Sequence, residues 1–169
     1  MKLRLTAKIH NAAEDWRKKY DSVGNFVEGL AKIKLNGKWG FVNEQGEEVA
    51  KLKYDIVWNF DEGLAPVYLN GKYGYVNTKG EEVVPPKYDN VWSFYKGFAI
   101  VKRDNKYGYV NTKGEEATPL KYDWVDYFHD GLAIVELKGK YGYVNTEGVE
   151  VVPLEYTSIE ALEAFKQTK

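Results

Sequence analysis

Gly71-Lys72-Tyr73-Gly74-Tyr75-Val76-Asn77-Thr78-Lys79-Gly80 decides the fold, because it keeps coming back. Its Tyr73-Gly74 pair is matched by Trp39-Gly40, Tyr107-Gly108 and Tyr141-Gly142, each step 34 residues with no insertion or deletion. Fixed spacing of this kind marks supersecondary units that stack on one another. Other markers hold the same register. Gly63-Leu64-Ala65 is echoed by Gly29-Leu30-Ala31, Gly97-Phe98-Ala99 and Gly131-Leu132-Ala133, and Tyr54 by Tyr20, Tyr88, Tyr122 and Tyr156. Phe26, Phe60, Phe94 and Phe128 form another column, with Leu162 in its fifth place.

Working outward from the quoted stretch, Leu64-Ala65-Pro66-Val67-Tyr68-Leu69 alternates, placing Ala65, Val67 and Leu69 on one strand face. Asn70-Gly71 is a strong type I′ hairpin signal, repeated by Asn36-Gly37 and, more weakly, by Asp104-Asn105 and Lys138-Gly139. Lys72 to Asn77 is the second strand, with Tyr73 and Tyr75 on one side and Gly74 and Val76 on the other. Gly74 leaves space for a neighbouring ring or backbone. Asn77 to Gly80 makes a turn in which Asn bonds the local backbone and Gly takes positive φ. A third strand covers Glu82-Val83-Val84, and Pro85-Pro86 is expected to end its ladder. Tyr88 to Phe94 reads as a short strand or turn.

The ordered set Gly37-Lys38-Trp39-Gly40-Phe41-Val42-Asn43, Gly46, Lys53-Tyr54-Asp55 and Phe60-Asp61-Glu62-Gly63-Leu64-Ala65 resembles the bacterial WG-repeat family, over roughly residues 19 to 164. Three of the four units carry Tyr in place of the Trp of the name motif, which keeps the aromatic bulk. The resemblance implies a β-rich repeat with a binding or scaffolding role, and it implies no catalytic residues.

The ends shape the architecture. The Tyr-Asp segment position occurs five times from Tyr20 to Tyr156, against four hairpins, whereas a closed ring needs equal numbers. Asn11-Ala12-Ala13-Glu14 has the form of a capping box, followed by Trp16 and Tyr20 four apart. Thr157 to Glu160 resembles another, leading into a helical stripe of Ile159, Leu162 and Phe165. The expected fold is therefore all-β: an open stack, or solenoid, of three-stranded antiparallel meander repeats with short helical caps. A closed barrel or propeller-like ring is the alternative. The expected division is one repeat domain over 1–169. It has a cap at 1–18, a partial repeat at 19–28, repeats at 29–62, 63–96, 97–130 and 131–156, and a helical cap at 157–169.

Composition narrows the function. The 169 residues are enough for a substantial apolar interior. The net charge is -1, with no Lys/Arg block, which argues against nucleic acid as a partner. No apolar run approaches the roughly 18 residues that span a bilayer, so membrane insertion is not expected. Met1 to His10 lacks an apolar core of the secretory type, which points to the cytoplasm; a chain trimmed of a leader would instead belong to the cell envelope or be secreted. There is no cysteine, so disulfides and thiol chemistry are excluded.

Three charged columns invite chemistry and have simpler readings. Asp21, Asp55, Asp89 and Asp123 read as turn caps. Glu48, Glu82, Glu116 and Glu150, with Lys38, Lys72, Lys106 and Lys140, read as solvated rows that offset one another. A catalytic carboxylate pair needs two unlike environments, and identical units supply like ones. His10 and His129 are too far apart in sequence to signal a metal site. No catalytic or metal-ligating residue and no cofactor is assigned. The aromatic column Trp39, Tyr73, Tyr107 and Tyr141 reads as core, with a sugar-binding or ammonium-binding groove as its functional alternative.

Variation between units is more informative. Hairpins hardly differ, whereas one connector position holds Gly24, Trp58, Trp92, Asp126 and Glu160 in turn. The next holds Asn25, Asn59, Ser93, Tyr127 and Ala161, and another Glu28, Glu62, Lys96 and Asp130. Trp58, Trp92, Trp124 and Tyr127 are thus candidate binding residues, an aromatic patch on the connectors. The expected function is a non-enzymatic binding or scaffolding module for a protein partner, with glycan or cell-envelope polysaccharide binding through the aromatic columns as the alternative.

Overall fold

The computed structural model describes residues 16–167. They fall into two compact units, one ending at Pro86 and the other beginning at Lys87. The first opens with a single 3₁₀ turn, Trp16–Lys19. A four-stranded antiparallel sheet follows in the order β1 (Ser22–Val27), β2 (Leu30–Leu35), β3 (Lys38–Asn43), β4 (Glu48–Tyr54). A second has the order β5 (Ile56–Val57), β6 (Leu64–Leu69), β7 (Lys72–Asn77), β8 (Glu82–Tyr88), the boundary between units falling within β8. The other unit holds β9 (Asn90–Val91), β10 (Phe98–Arg103) and β11 (Lys106–Asn111) in one sheet. A further four-stranded sheet follows, with the order β12 (Trp124–Val125), β13 (Leu132–Leu137), β14 (Lys140–Asn145), β15 (Glu150–Tyr156), and then helix α1 (Ile159–Gln167). The fold is all-β, built of separate antiparallel sheets rather than a closed barrel.

Three of the four sheets have one strand more than the meander expected from the sequence; the sheet of β9, β10 and β11 has three strands in all. The segment after each Tyr-Asp pair becomes the first strand of the next sheet, as in Ile56↔Tyr68 and Val57↔Val67, or Trp124↔Glu136 and Val125↔Val135. A second tight turn makes this possible. Glu28-Gly29, Glu62-Gly63, Lys96-Gly97 and Asp130-Gly131 all have both residues at positive φ, between 49° and 83°. Asp61↔Leu64 and His129↔Leu132 close across that turn. The expected hairpin turns hold as well: Asn70 and Gly71 sit at φ 52° and 83°.

Pro85 and Pro86 do not end their strand. Both lie inside β8, at the edge of the sheet, where a missing N–H costs no ladder bond. The reason is a bulge, seen in β4 where Trp39 pairs with Tyr54 but Phe41 with Ala50. The bulged backbone lies directly over the motif glycine. A Cβ on Gly40 would stand 2.5 Å from the Ala50 carbonyl oxygen, and one on Gly74 would overlap Val84 O and stand 2.8 Å from Pro86 N. The Gly of the aromatic-Gly pair is thus a seat for the last strand of its own sheet. At the corresponding place after β11, Thr118 takes the Tyr109 N–H on its hydroxyl at 3.2 Å, and regular pairing shrinks to Tyr107↔Tyr122 and Val110↔Glu116.

Within each unit the two sheets share a core. In the first, Leu30, Phe41, Ala50 and Tyr54 pack with Val57, Phe60, Ala65, Val67 and Val76. In the second, Ile100, Tyr109 and Tyr122 pack with Val125, Phe128, Ala133, Val135 and Val144. A fully buried side chain of this size stabilises by about 1.5–3 kcal/mol, so neither sheet's apolar face is left to water. The turn glycines seal the contact: Gly80, at φ 79°, lies against Val49 O, and Gly148, at φ 77°, against Ala117 O. At the first repeat the same place is taken by Trp16, whose Cδ2 would meet a Cβ on Gly46 at 2.5 Å. Trp16 is 8% exposed and packs with Ala31, Ile33 and Val42. Leu162 of α1 is fully buried at the other end. Among the described residues the caps amount to one 3₁₀ turn and one nine-residue helix. The capping-box reading of Asn11 to Glu14, and His10, lie outside the described residues.

Candidate functional site

Framework columns and what they hold

The charged columns are engaged in the fold. Each Asp accepts the amide N–H of the hairpin turn fifteen residues on: Asn36 to Asp21 at 2.7 Å, Asn70 to Asp55 at 2.9 Å, Asp104 to Asp89 at 2.7 Å, Lys138 to Asp123 at 2.7 Å. The cap is real, but it serves a distant turn rather than a local one. Lys38 also donates to Asp55 at 2.6 Å, and Lys106 to Asp123. These bonds hold both carboxyls below the usual Asp range.

The Glu column is not a solvated row facing the Lys column. Tyr20, Tyr54, Tyr88 and Tyr122 each donate a phenol hydrogen bond to Glu48, Glu82, Glu116 and Glu150 in turn, at 3.2, 2.9, 2.9 and 3.3 Å. Lys53, Lys87 and Lys121 pair with Glu82, Glu116 and Glu150 at 2.8, 3.3 and 2.7 Å. Burial pushes Glu82 and Glu116 up, but the bonds from these lysines and tyrosines outweigh it and hold both carboxyls low. Burial first, and the facing carboxylate second, raise the phenols of Tyr54 and Tyr88.

The motif aromatics are not core. Trp39, Tyr73, Tyr107 and Tyr141 are half-buried, whereas the rings two residues on, Phe41, Tyr75, Tyr109 and Tyr143, are the buried ones. Lys34 lies over Trp39 with its ammonium 5.4 Å from the ring centroid, and Lys102 over Tyr107 at 5.1 Å.

The connector rings

The backbone at the variable connector position is fixed, so its side chain is free to differ. Trp58 donates its N–H to Pro66 O at 3.0 Å, Trp92 to Ile100 O at 3.0 Å, and Asp126 to Ile134 O at 2.9 Å. In the first unit Trp58, 38% exposed, lies 5.7 Å from Tyr73, which in turn meets Tyr68 at 4.7 Å. In the second unit Trp92 lies 5.9 Å from Tyr107 in the same manner.

In the second unit this motif lines a cleft. A concavity of about 270 Å³ is lined by Trp92, Ile100, Tyr107, Trp124, Val125, Asp126 and Tyr127. Three of the four expected site residues, Trp92, Trp124 and Tyr127, therefore come together, while Trp58 belongs to the other unit. Trp124 is 37% exposed. Asp126 stands where earlier repeats hold Trp58 and Trp92; its Oδ1 accepts the Tyr127 N–H at 2.7 Å, and its carbonyl takes the Tyr109 hydroxyl. Tyr95, 41% exposed, meets the edge of Tyr127 at 5.9 Å.

Asp126 was not among the site residues expected from the sequence, and Tyr107 entered only through the alternative groove reading of its column. The change from Trp to Asp at 126 was the visible signal for the first. Tyr107 lay hidden in a column read as core. His129 lies beside Tyr95, and no group of three metal-ligating side chains exists among the described residues. No helix among them is long and apolar enough to cross a membrane.

Comparison with known proteins

The family model described as WG containing repeat matches residues 18–39, 39–73, 73–107, 107–141 and 141–163, together most of the chain. No curated protein matches it. Among solved structures, Kluyveromyces lactis Hsv2 with its complete loop 6CD is similar at 8% identity and a TM-score of 0.41, covering 78% of this chain and 48% of that one. A variant of that protein with loop 6CD replaced by a Gly-Ser linker is similar at 9% identity and a TM-score of 0.42, over 76% and 51%. This chain thus spans about half the length of the Hsv2 structures. A plant lectin with two metal binding sites from Cicer arietinum is similar at 8% identity and a TM-score of 0.31, over 88% and 97%. Likeness this loose carries no argument about either fold or function.

Proposed function

Since the chain belongs to the WG containing repeat family, we propose that it is a non-enzymatic binding module that engages a protein partner through its repeat connectors. The observation that carries this reading is the cleft at Trp92, Tyr107, Trp124 and Tyr127. The repeated Asp, Glu, Gly and Tyr columns are engaged in holding strands and sheets, whereas the rings at variable positions line a concavity. Tyr and Trp in such settings are the residue types that anchor protein interfaces. Trp58 extends the reading to the first unit.

The finer architecture belongs to the same proposal. Each unit's two sheets stack as consecutive repeats of an open array, Trp16 closing the free face of the first unit's array and the helix of Leu162 that of the second's. The support is that Trp16 sits on Gly46 where the backbone of the preceding repeat sits on Gly80 and Gly148. A polysaccharide lying along Trp39, Tyr73, Tyr107 and Tyr141 has weaker support, because Trp58 lies on Tyr73 and Trp92 on Tyr107.

Partner capture with the wild type, with Trp92→Ala/Trp124→Ala and with Trp58→Ala tests the proposal. Loss of a specific partner from the double variant is expected. Equal recovery by all three removes the connector rings from consideration.

A further inference from the structure

We propose that the cleft of the second unit receives a cationic side chain, arginine or lysine, from the protein partner, held between ring faces and the Asp126 carboxylate. This rests on the reading of the cleft as a binding site and adds the chemistry of what enters it. Four of the seven lining residues are aromatic: Trp92, Tyr107, Trp124 and Tyr127. Ring faces carry negative potential and attract a cation that has shed part of its water. The lining holds one charged group, Asp126, and no cation.

Asp126 is suited to the role. It is half-buried, its backbone is pinned at both N–H and carbonyl, and one carboxylate oxygen is oriented by the Tyr127 amide. The other oxygen, Oδ2, has no hydrogen bond from the described residues. A carboxylate placed beside aromatic faces in a concave, partly dry site favours a guanidinium or ammonium over a neutral or anionic group. The rings of this frame already take cations. Lys102 lies over Tyr107 at 5.1 Å and Lys96 over Tyr95 at 5.3 Å, yet neither lysine lines the cleft. The combination is particular to this unit. The first-unit counterparts of Trp92 and Asp126 are Gly24 and Trp58, so there the position of the ring is a glycine and that of the carboxylate a ring.

The test uses the whole chain and three capped tripeptides, Gly-Arg-Gly, Gly-Lys-Gly and Gly-citrulline-Gly, followed by the indole N–H resonances of the five tryptophans. Citrulline keeps the shape of arginine and removes the charge. The expected result is saturable shifts of Trp92 and Trp124 with the arginine and lysine peptides, and binding weaker by about tenfold or more for citrulline. Asp126→Asn keeps the acceptor for the Tyr127 amide and is expected to weaken the arginine peptide by a similar factor. Unmoved Trp39 and Trp58 signals report that the variant is folded. Equal affinity for citrulline, or an unaltered arginine titration in Asp126→Asn, overturns the cationic assignment while leaving the cleft as a binding site. No movement of Trp92 or Trp124 with any peptide overturns the assignment too. Partner capture that depends on Trp92 and Trp124 but not on Asp126 does the same, whereas capture independent of the rings defeats the underlying reading itself.

Discussion

The hydroxyl of Tyr54 donates to Glu82 Oε1 at 2.9 Å, although the two residues are 28 apart in sequence and sit in neighbouring sheets. The same bond recurs between Tyr88 and Glu116 and between Tyr122 and Glu150. It joins the end of one repeat's third strand to the start of the next. Tyr54→Phe removes the bond and leaves the ring packing in place. The expected loss is about 1–2 kcal/mol in urea denaturation, because a charged acceptor loses a partner. In a double-mutant cycle with Glu82→Gln, the two effects are expected to fall short of additivity.

The motif glycines predict a graded series. Gly74→Ala puts a Cβ into Val84 O and 2.8 Å from Pro86 N, both backbone atoms that cannot step aside. Gly108→Ala meets nothing nearer than Thr118 Oγ1 at 3.1 Å, Pro119 O at 3.2 Å and Thr118 O at 3.3 Å. The first is expected to cost about 2–3 kcal/mol or to prevent folding, the second under about 1 kcal/mol. Thermal unfolding of the two variants separates them, and equal losses contradict the seat described for the last strand of the sheet.

The hairpin turns leave room for improvement. Lys138 stands at φ 53° and Lys96 at φ 49°, a region that costs an ordinary side chain energy and that Asn or Gly occupies more readily. Lys138→Asn and Lys96→Asn are each expected to raise stability by a few tenths of a kcal/mol, up to about 1. The unfolding midpoint in denaturant is the check.

Stability is expected to fall at both ends of the pH scale. Asp55, Asp123, Glu82 and Glu116 titrate below their ordinary values of 3.8 and 4.5, so their contribution is complete at neutral pH and is lost as pH drops through the depressed range. The phenols of Tyr54, Tyr88, Tyr109 and Tyr122 are raised above the ordinary 10.0, chiefly by burial. Their contribution is whole below that pH and erodes above it, as the unfolded chain ionises first. A urea midpoint that declines above pH 10, together with late tyrosinate absorbance, is the expected signature; a flat midpoint through that range contradicts it.

Much of this fold could be read from local rules. The 34-residue step is a matter of counting Tyr73, Tyr107 and Tyr141. Asn70-Gly71 and the turn from Asn77 to Gly80 follow from which residues tolerate positive φ. What escaped was nonlocal. Glu62-Gly63 makes a hairpin turn as tight as Asn70-Gly71, but Glu carries no preference for that conformation, and the short strand Ile56–Val57 went unseen with it. Pro85-Pro86 looked like a stop because the bulge that accommodates them depends on Gly74, eleven residues back. Tyr73 and Tyr75 share a strand face, so alternation alone could not say that Tyr75 is the buried one. At the site, three rings were legible because they vary between units. Their meeting with Tyr107 and Asp126 was not, because the cleft is made where one sheet's motif strand meets the connector that opens the next sheet.

The central physical claim is that each sheet stands by sharing its core with a neighbour, and Phe41 offers the most direct test. Its ring lies 4.7 Å from that of Phe60, in a cluster that draws on both sheets of the first unit. Phe41→Ala is expected to cost about 3–5 kcal/mol. Amide hydrogen exchange should then speed up by comparable factors in Leu64–Leu69 and Lys72–Asn77 of the second sheet and in Leu30–Leu35 and Lys38–Asn43 of the first. Full protection retained in the second sheet while the first opens would contradict the claim.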